Sequence, residues 1–253
     1  MTRPPRSPWK TAVRLGAVWV VTLAVLVTAV TPPERCAPPA PDRLEAAIDA
    51  ATGWLLVNQE PDGTWLYDYD RSAAAPVPGY NLVRHAGVTM ALYMRDALQG
   101  DPAAFAAAER GLSWLDDHLV AVGGGVAYAD GTRAETGTAA LALAGLIWRR
   151  DATGSTDRDP LIVGLADFVA GQVFERGAVS VAHDLTAGRR VDAVSKFFTG
   201  EAMWALALAD QRLPGHGWGE VALRIADHVA LHRDDEEPEF PPNDDHWSAY
   251  ALA

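Results

Sequence analysis

The chain is short of cysteine and of positive charge. Cys36 is the single cysteine, which excludes an internal disulfide framework and any cysteine-rich zinc site. Lysine and arginine number 21 against 33 acidic residues, for a net charge of −12, and no basic cluster lies outside the N-terminus. A nucleic-acid partner is therefore not expected. A Gly-rich phosphate loop and a nucleophile elbow are both absent, so Ser/His/Asp chemistry has no local support. The acidic run "RDDEEPEFPPNDD" could bind a cation, but it lacks the fixed ligand spacing of a calcium loop and reads rather as a solvated loop. No metal or cofactor is implied. What remains is ordinary globular composition, 49% hydrophobic and 21% charged, suited to one large domain or two small ones.

Long apolar runs are confined to the start. Arg3, Arg6, Lys10 and Arg14 precede "LGAVWVVTLAVLVTAV", which carries no charge from Leu15 to Val30. These 16 residues fall short of the roughly 20 that span a bilayer, although Ala12 and Val13 lengthen the run. The basic flank places the start on the cytoplasmic side. "VTA" at 27–29 suits signal cleavage, so residues 1–31 read as either a secretory signal or an uncleaved anchor. Cys36 in "PPERCAPP" lacks the small-residue approach of a lipoprotein cysteine. Residues 32–43, rich in proline, read as a stiff linker. Residues 44–253 are then expected outside the cytoplasmic membrane, tethered to it or secreted.

That remainder repeats itself. "AATGWLLVNQ", "ERGLSWLDDH", "VGLADFVAGQ" and "ALRIADHVALH" share an amphipathic pattern, with Trp54, Trp114, Phe168 and His228 as anchors spaced by 60, 54 and 60 residues. Leu44, Ile48, Ala51 and Leu55 mark one helical face of the first. Three of these helices lead through a glycine turn into a short extended piece: "DGTWLYDYD", "GGGVAYADG" and "RGAVSVAHD". A second helix follows each time: "RHAGVTMALY", "ETGTAALALAGLIW", "FFTGEAMWALALA" and finally "HWSAYALA". The second helices are apolar nearly all round and belong inside, near 86–98, 136–150 and 199–211; the first keep a polar face and belong outside. Four such hairpins predict an all-α fold, either an open solenoid or a closed α/α toroid, and uniformly apolar second helices favour the toroid.

Two features resemble the α/α-toroid superfamily over residues 44–253. "WLLVNQEPDGTW" matches the QW motif of squalene-hopene cyclase and prenyltransferase repeats, and the second helices match the inner ring. The resemblance implies a central cavity at one end of that ring. There is no Asp-x-Asp-Asp motif and no zinc set, which removes support for terpene cyclisation or protein prenylation. Six-hairpin glycosidase-like toroids that act on polysaccharides share the architecture and suit an extracytoplasmic setting. The chain stops inside the fourth inner helix, whereas the resemblance implies five to seven hairpins, so a C-terminal truncation is expected.

In a toroid the junctions before the inner helices converge on one mouth: Arg84-His85, Glu135, Lys196 to Glu201, and Asp244-Asp245-His246. Helix N-termini there offer free N–H groups. His85 is a candidate acid or base because imidazole titrates near neutrality, or else a brace for the loop. Arg84 could hold a substrate carboxylate, or pair with Asp68 or Asp70. Glu201, among Phe197, Phe198 and Trp204, is the preferred proton donor if desolvated; helix capping is the plainer role. Asp245 is the third catalytic candidate, with Asp244 as the cap of the last helix. Tyr67, Asp68, Glu135, His246 and Trp247 complete a candidate substrate-binding set, the aromatics as platforms for sugar rings. Glu135 also suits first-turn charge compensation.

Two function classes follow. One is a carbohydrate-active enzyme, a hydrolase, lyase or epimerase on an envelope or extracellular glycan; hydrolysis would use Glu201 with Asp245 or Asp68, and elimination or epimerisation His85 with Arg84. The other is a membrane-tethered toroid that binds a glycan or partner without turning it over. A terpene-cyclase-like enzyme is a third reading, resting on the QW-like motif alone.

Overall fold

Twelve consecutive residues of one helix, Thr136–Ile147, are buried without a break, and this helix sits at the centre of the fold. The structure, a computed structural model, describes residues 8–30, 38, 40–195, 197–237 and 245–253. Cys36, Lys196 and Asp244 lie outside the described residues. The chain divides into two compact units, Met1–Asp49 and Ala50–Ala253.

Helix α1 (Pro8–Val30) carries the apolar run, and its window Ala12–Ala29 has a mean hydropathy of 2.0. Its 23 residues rise about 35 Å, enough to cross a hydrocarbon core of about 30 Å. Helix α2 (Pro41–Val57) starts three residues before Leu44, inside the expected linker.

Beyond it, helices alternate between two layers. The inner layer is α3 (Leu82–Gln99), α5 (Thr136–Thr153), α7 (Phe198–Arg212) and α10 (His246–Leu252). The outer one is α4 (Pro102–Asp116), α6 (Asp159–Gly171) and α8 (Trp218–Leu231), followed by the short α9 (Arg233–Glu236). Each inner helix packs on the next, and α4, α6 and α8 lie against α3, α5 and α7 respectively. The outer helices bury a single stripe, as in α4, where Ala104, Ala107, Ala108, Gly111, Leu112 and Leu115 face in. Helices α5 and α7 expose almost nothing through their first three turns, so their Ala and Gly residues set how closely backbones approach. Gly145 of α5 rides on Met90 of α3, where an added Cβ would come within 3.1 Å of Met90 Cα. Truncating Leu143, fully buried here, to alanine costs about 2–5 kcal/mol.

Caps set the helix starts. Asn81 Oδ1 accepts from Arg84 N at 2.9 Å at the start of α3, and Asp101 Oδ1 accepts from Ala103 and Ala104 N at 3.2 and 3.1 Å ahead of Pro102 in α4. The outer-to-inner connections hold short antiparallel pieces: β1 (Tyr69–Asp70) with β2 (Ala75–Pro76), and β3 (Leu119–Val122) with β4 (Gly125–Tyr128). A three-stranded sheet joins β5 (Arg133–Glu135), β6 (Ala182–Asp184) and β7 (Arg189–Arg190), linking the segment that enters α5 to the one after α6.

The QW-like turn is a staple between repeats. Gln59 Nε2 donates to the carbonyls of Gly63 at 3.1 Å and Ala107 at 2.9 Å, its Oε1 accepts from Arg110 Nε at 3.0 Å, and Trp65 Nε1 donates to the Leu55 carbonyl at 3.0 Å. Gly63 adopts φ +95° with its α-carbon against the Arg110 carbonyl, and Gly177, also at φ +95°, sits on the Arg224 carbonyl in the same way. No side chain fits at either position.

The expectation for α2 needs correction. Trp54 is 57% exposed, and Leu44 and Ile48 are each 47% exposed. The anchoring indole is that of Trp65, 7% exposed, while Trp54 borders a surface pocket. Phe168 and His228 are buried as their places in the repeat predict, and Trp114 is half-buried.

Candidate functional site

Arg84 and His85 are neighbours on the first turn of α3, and consecutive helical side chains point about 100° apart. Arg84 turns to the surface: Nη1 donates to Tyr67 Oη at 2.8 Å, and the guanidinium lies 5.1 Å from the Tyr67 ring centroid. Neither Asp68 nor Asp70 pairs with it among the described residues; Asp70 instead accepts from Ser72, and Asp68 from the Tyr69 backbone. His85 turns inward, 2% exposed, between α3 and α4. Its Nε2 lies 2.8 Å from the Gly111 carbonyl and its Nδ1 2.7 Å from Tyr80 Oη. A carbonyl can only accept, so Nε2 carries the proton and Nδ1 accepts from the tyrosine. Burial pushes the ring's pKa down to about 4, so it is neutral at ordinary pH. With both nitrogens engaged and indoles 5.1 and 4.5 Å away at Trp65 and Trp114, His85 braces the α3–α4 packing.

Glu201 has a different setting. It lies in the first turn of α7, 4% exposed, and its Oε2 has no hydrogen-bond partner among the described residues. The carboxyl packs against α5: an added Cβ at Gly137 would come within 2.7 Å of Oε2. Burial, and then the nearby charges of Asp245 and Glu135, push its pKa up to about 8. Glu135 is half-buried at the N-cap position of α5 and makes no capping bond there.

Asp245 belongs to the same cluster but is held ionised. It caps α10 in the role expected of Asp244: Oδ1 accepts from Ser248 N at 3.0 Å and Oδ2 from Ser248 Oγ at 2.6 Å, while Arg233 pairs with Oδ2. Burial would raise its pKa, but the bonds from Ser248 and Arg233 outweigh this and lower it. Arg233 Nε also meets Glu237 at 3.3 Å; Glu237 Oε1 in turn accepts from Thr199 Oγ1 at 3.2 Å and His228 Nε2 at 2.9 Å. The "RDDEE" segment is thus not simply a solvated loop: it folds as α9, and the Glu237 side chain is only 3% exposed.

His246 is exposed beside Trp247, with ring centroids 4.6 Å apart, and Trp247 stacks on Trp204 at 5.5 Å. The structure thus gathers Glu135, Glu201 and Asp245 into one acidic group, and His246 and Trp247 follow Asp245 at the start of α10. Arg84, Tyr67 and His85 line a separate pocket of about 150 Å³ with Trp54 and Trp65, and exposed Asp68 joins neither. A second pocket of about 150 Å³ lies between the starts of α3 and α5, with Glu135, Tyr80, Tyr128 and Thr138 in its wall. Sequence reasoning missed Arg233 and Glu237, whose four-residue spacing on a helix was the available signal, and the Tyr128–Thr138 wall, which had none.

Comparison with known proteins places this geometry in a fold. No family model matches the chain, and no curated protein matches it. Solved structures do. A sugar epimerase from a ruminal bacterium aligns with a TM-score of 0.58 and 13% identity, covering 76% of this chain and 55% of that one. The GH76 α-mannanase of Bacteroides thetaiotaomicron gives 0.56 and 12%, covering 75% and 55%. The cellobiose 2-epimerase of Spirochaeta thermophila DSM 6192 gives 0.55 and 15%, covering 76% and 56%. The fold is an α/α toroid. This chain spans about 55% of the length of these neighbours, and at such identities the likeness concerns the fold alone.

Proposed function

We propose that this chain is a carbohydrate-active enzyme that hydrolyses a glycan outside the cytoplasmic membrane, with Glu201 as the proton donor and Asp245 as its ionised partner. One observation carries the reading: two carboxyl groups of one cluster have their proton affinities driven apart, Glu201 up to about 8 and Asp245 down. That split assigns an acid and a base at neutral pH, and a protonated and an ionised carboxyl flanking the bond are what glycoside hydrolysis requires. Elimination or epimerisation through His85 has less support, because both of its ring nitrogens are occupied. Trp247, His246 and Glu135 would bind substrate next to the pair.

The fold adds a prior. It is shared with mannanases and sugar epimerases, and one such α-1,6-mannanase, from a Salegentibacter species, is described in complex with α-1,6-mannotriose. Helix α1, with basic residues before it, supports an anchor or signal that leaves the toroid on the outer side. A binding-only toroid is favoured by one feature, the engagement of both Asp245 oxygens by Ser248 and Arg233.

The test is reducing-end release from α-1,6-manno-oligosaccharides and a panel of envelope glycans. Hydrolysis of any of them, lowered on the order of 10²–10⁴-fold by Glu201→Gln, supports the assignment. Binding without turnover across the panel supports the second reading.

A further inference from the structure

Tyr80 is locked in place by its own hydroxyl, which accepts from the Trp65 backbone N–H at 3.1 Å and donates to His85 Nδ1 at 2.7 Å. Its ring and those of Trp54, Trp65 and Tyr67 wall the pocket between the end of α2 and the start of α3. Tyr67 is held by Arg84, whose Nη1 donates to Oη and whose guanidinium lies 5.1 Å from the ring centroid. Trp54 is 57% exposed, so its indole is open to a ligand. The pocket volume of about 150 Å³ is that of roughly five waters of liquid, enough for one six-membered ring.

The polar side-chain groups left over in this wall are donors. Both nitrogens of His85 and the Tyr80 oxygen are engaged, and Trp65 Nε1 donates to the Leu55 carbonyl. Asn81 gives its Oδ1 to the Arg84 backbone N–H. Without a partner among the described residues are Arg84 Nε and Nη2, Asn81 Nδ2, the Trp54 indole N–H and the Tyr67 hydroxyl proton. Arg84 is exposed rather than enclosed, so a ligand can reach it. No carboxylate lines the pocket, in contrast to the one at Glu135. A wall of donors around one guanidinium suits an acceptor with a single negative charge, and a carboxylate fits the guanidinium fork. The net charge of −12 disfavours anions in general, so only a local cation can hold one here.

The rings select the body of that anion. Tyr67 and Tyr80 lie 6.1 Å apart at 59°, an angled cleft rather than a parallel slot for a flat ring. A puckered pyranose meets such a cleft with C–H groups against the aromatic faces. Its outer hydroxyls stay in water, whereas an aromatic acid would leave a hydrocarbon edge there. We infer that this pocket is a binding site for one hexuronate unit of an acidic glycan. The Arg84 guanidinium takes the carboxylate, and Trp54, Tyr67 and Tyr80 take the ring. The inference goes beyond the hydrolase reading, since neither Glu201 nor Asp245 belongs to this wall.

The test uses the full chain in detergent micelles, with 15N-labelled tryptophan and Trp54→Phe to assign the Trp54 indole signal. The probes are methyl β-D-glucuronopyranoside and methyl α-D-galacturonopyranoside, each beside its neutral glycoside, with benzoate as the control. The expected result is a saturable shift of that signal with at least one uronide, at millimolar affinity. Its neutral glycoside should bind at least fivefold more weakly, and benzoate should not saturate the signal. Arg84→Gln keeps a donor, removes the charge and should weaken uronide binding about tenfold without loss of folded signals. Four results would each overturn the site: no shift with either uronide, equal affinity for the neutral glycoside, equal affinity for benzoate, or unchanged affinity in Arg84→Gln. Glu201→Gln should leave uronide affinity unchanged; a loss there would put the binding at the acidic group and overturn this pocket. Uronide binding by a protein that hydrolyses no glycan keeps the site and removes the hydrolase.

Discussion

Glu201 on α7 and Asp245 at the start of α10 are carboxyl groups of one cluster whose proton affinities diverge. Asp245 is paired with Arg233 and hydrogen-bonded to Ser248, so it keeps its charge; Glu201 is buried beside it, with one oxygen unpartnered among the described residues, so it keeps its proton. The two effects are linked, because the charge on Asp245 is one reason that Glu201 resists ionisation.

The linkage has a sign that stability measurements can read. The folded-state pKa of Glu201, about 8, lies above its ordinary 4.5, so its contribution is fully present below about pH 4.5 and is lost as pH rises through 8. At about 1.4 kcal/mol per unit, the loss is on the order of 3–5 kcal/mol. Glu201→Gln, which cannot ionise, should therefore be more stable than the parent at pH 9 and close to it at pH 5. Thermal unfolding at the two pH values checks this; equal destabilisation at both would show that the carboxyl is not held neutral.

His85 titrates the other way. Its folded pKa, about 4, lies below 6.5, so its contribution is complete above about pH 6.5 and is lost as pH falls through 4. His85→Gln keeps a donor and an acceptor while removing that titration, and should flatten the acid limb of the stability curve by on the order of 3 kcal/mol. An unchanged acid limb would show that the ring is not buried neutral between α3 and α4.

Gly63 tests the staple between repeats. Any Cβ there meets the Arg110 carbonyl, and φ +95° is a conformation that alanine resists. Gly63→Ala should cost at least about 1–2 kcal/mol by denaturant unfolding, and Gly177→Ala a similar amount. Gly79→Ala, also at positive φ but with open space around it, isolates the backbone part of that cost.

The membrane orientation is tested by a reporter active only in the cytoplasm, fused after Asp42. The positive-inside pattern predicts little activity there. Strong activity would place the toroid on the cytoplasmic side and remove an extracellular glycan as substrate.

The layering of the fold was legible because burial and periodicity are coupled. Segments apolar all round, such as "ETGTAALALAGLIW", became inner helices, and striped ones became outer helices. The burial of Glu201 was legible for the same reason, since it is a lone acid in an apolar first turn. His85 was ambiguous, since adjacent residues on a helix face different ways and nothing local says which one turns inward. Trp54 misled because an indole at a repeat position suggests burial, yet Trp65 in the following turn fills the anchoring place. The Arg233–Asp245 pair joins groups on α9 and α10, and the pocket of Thr138 and Tyr128 exists only where β4 meets α5; neither has a signal in any single segment.

The most direct test of the account is the titration of the Glu201 side chain itself. With 13C-labelled glutamate in the full-length protein, and Glu201→Gln to assign the signal, carboxyl NMR should show a midpoint near pH 8, moving down in Asp245→Asn. A midpoint near 4.5, unaffected by Asp245→Asn, would mean that Glu201 is ionised at neutral pH and cannot be the proton donor.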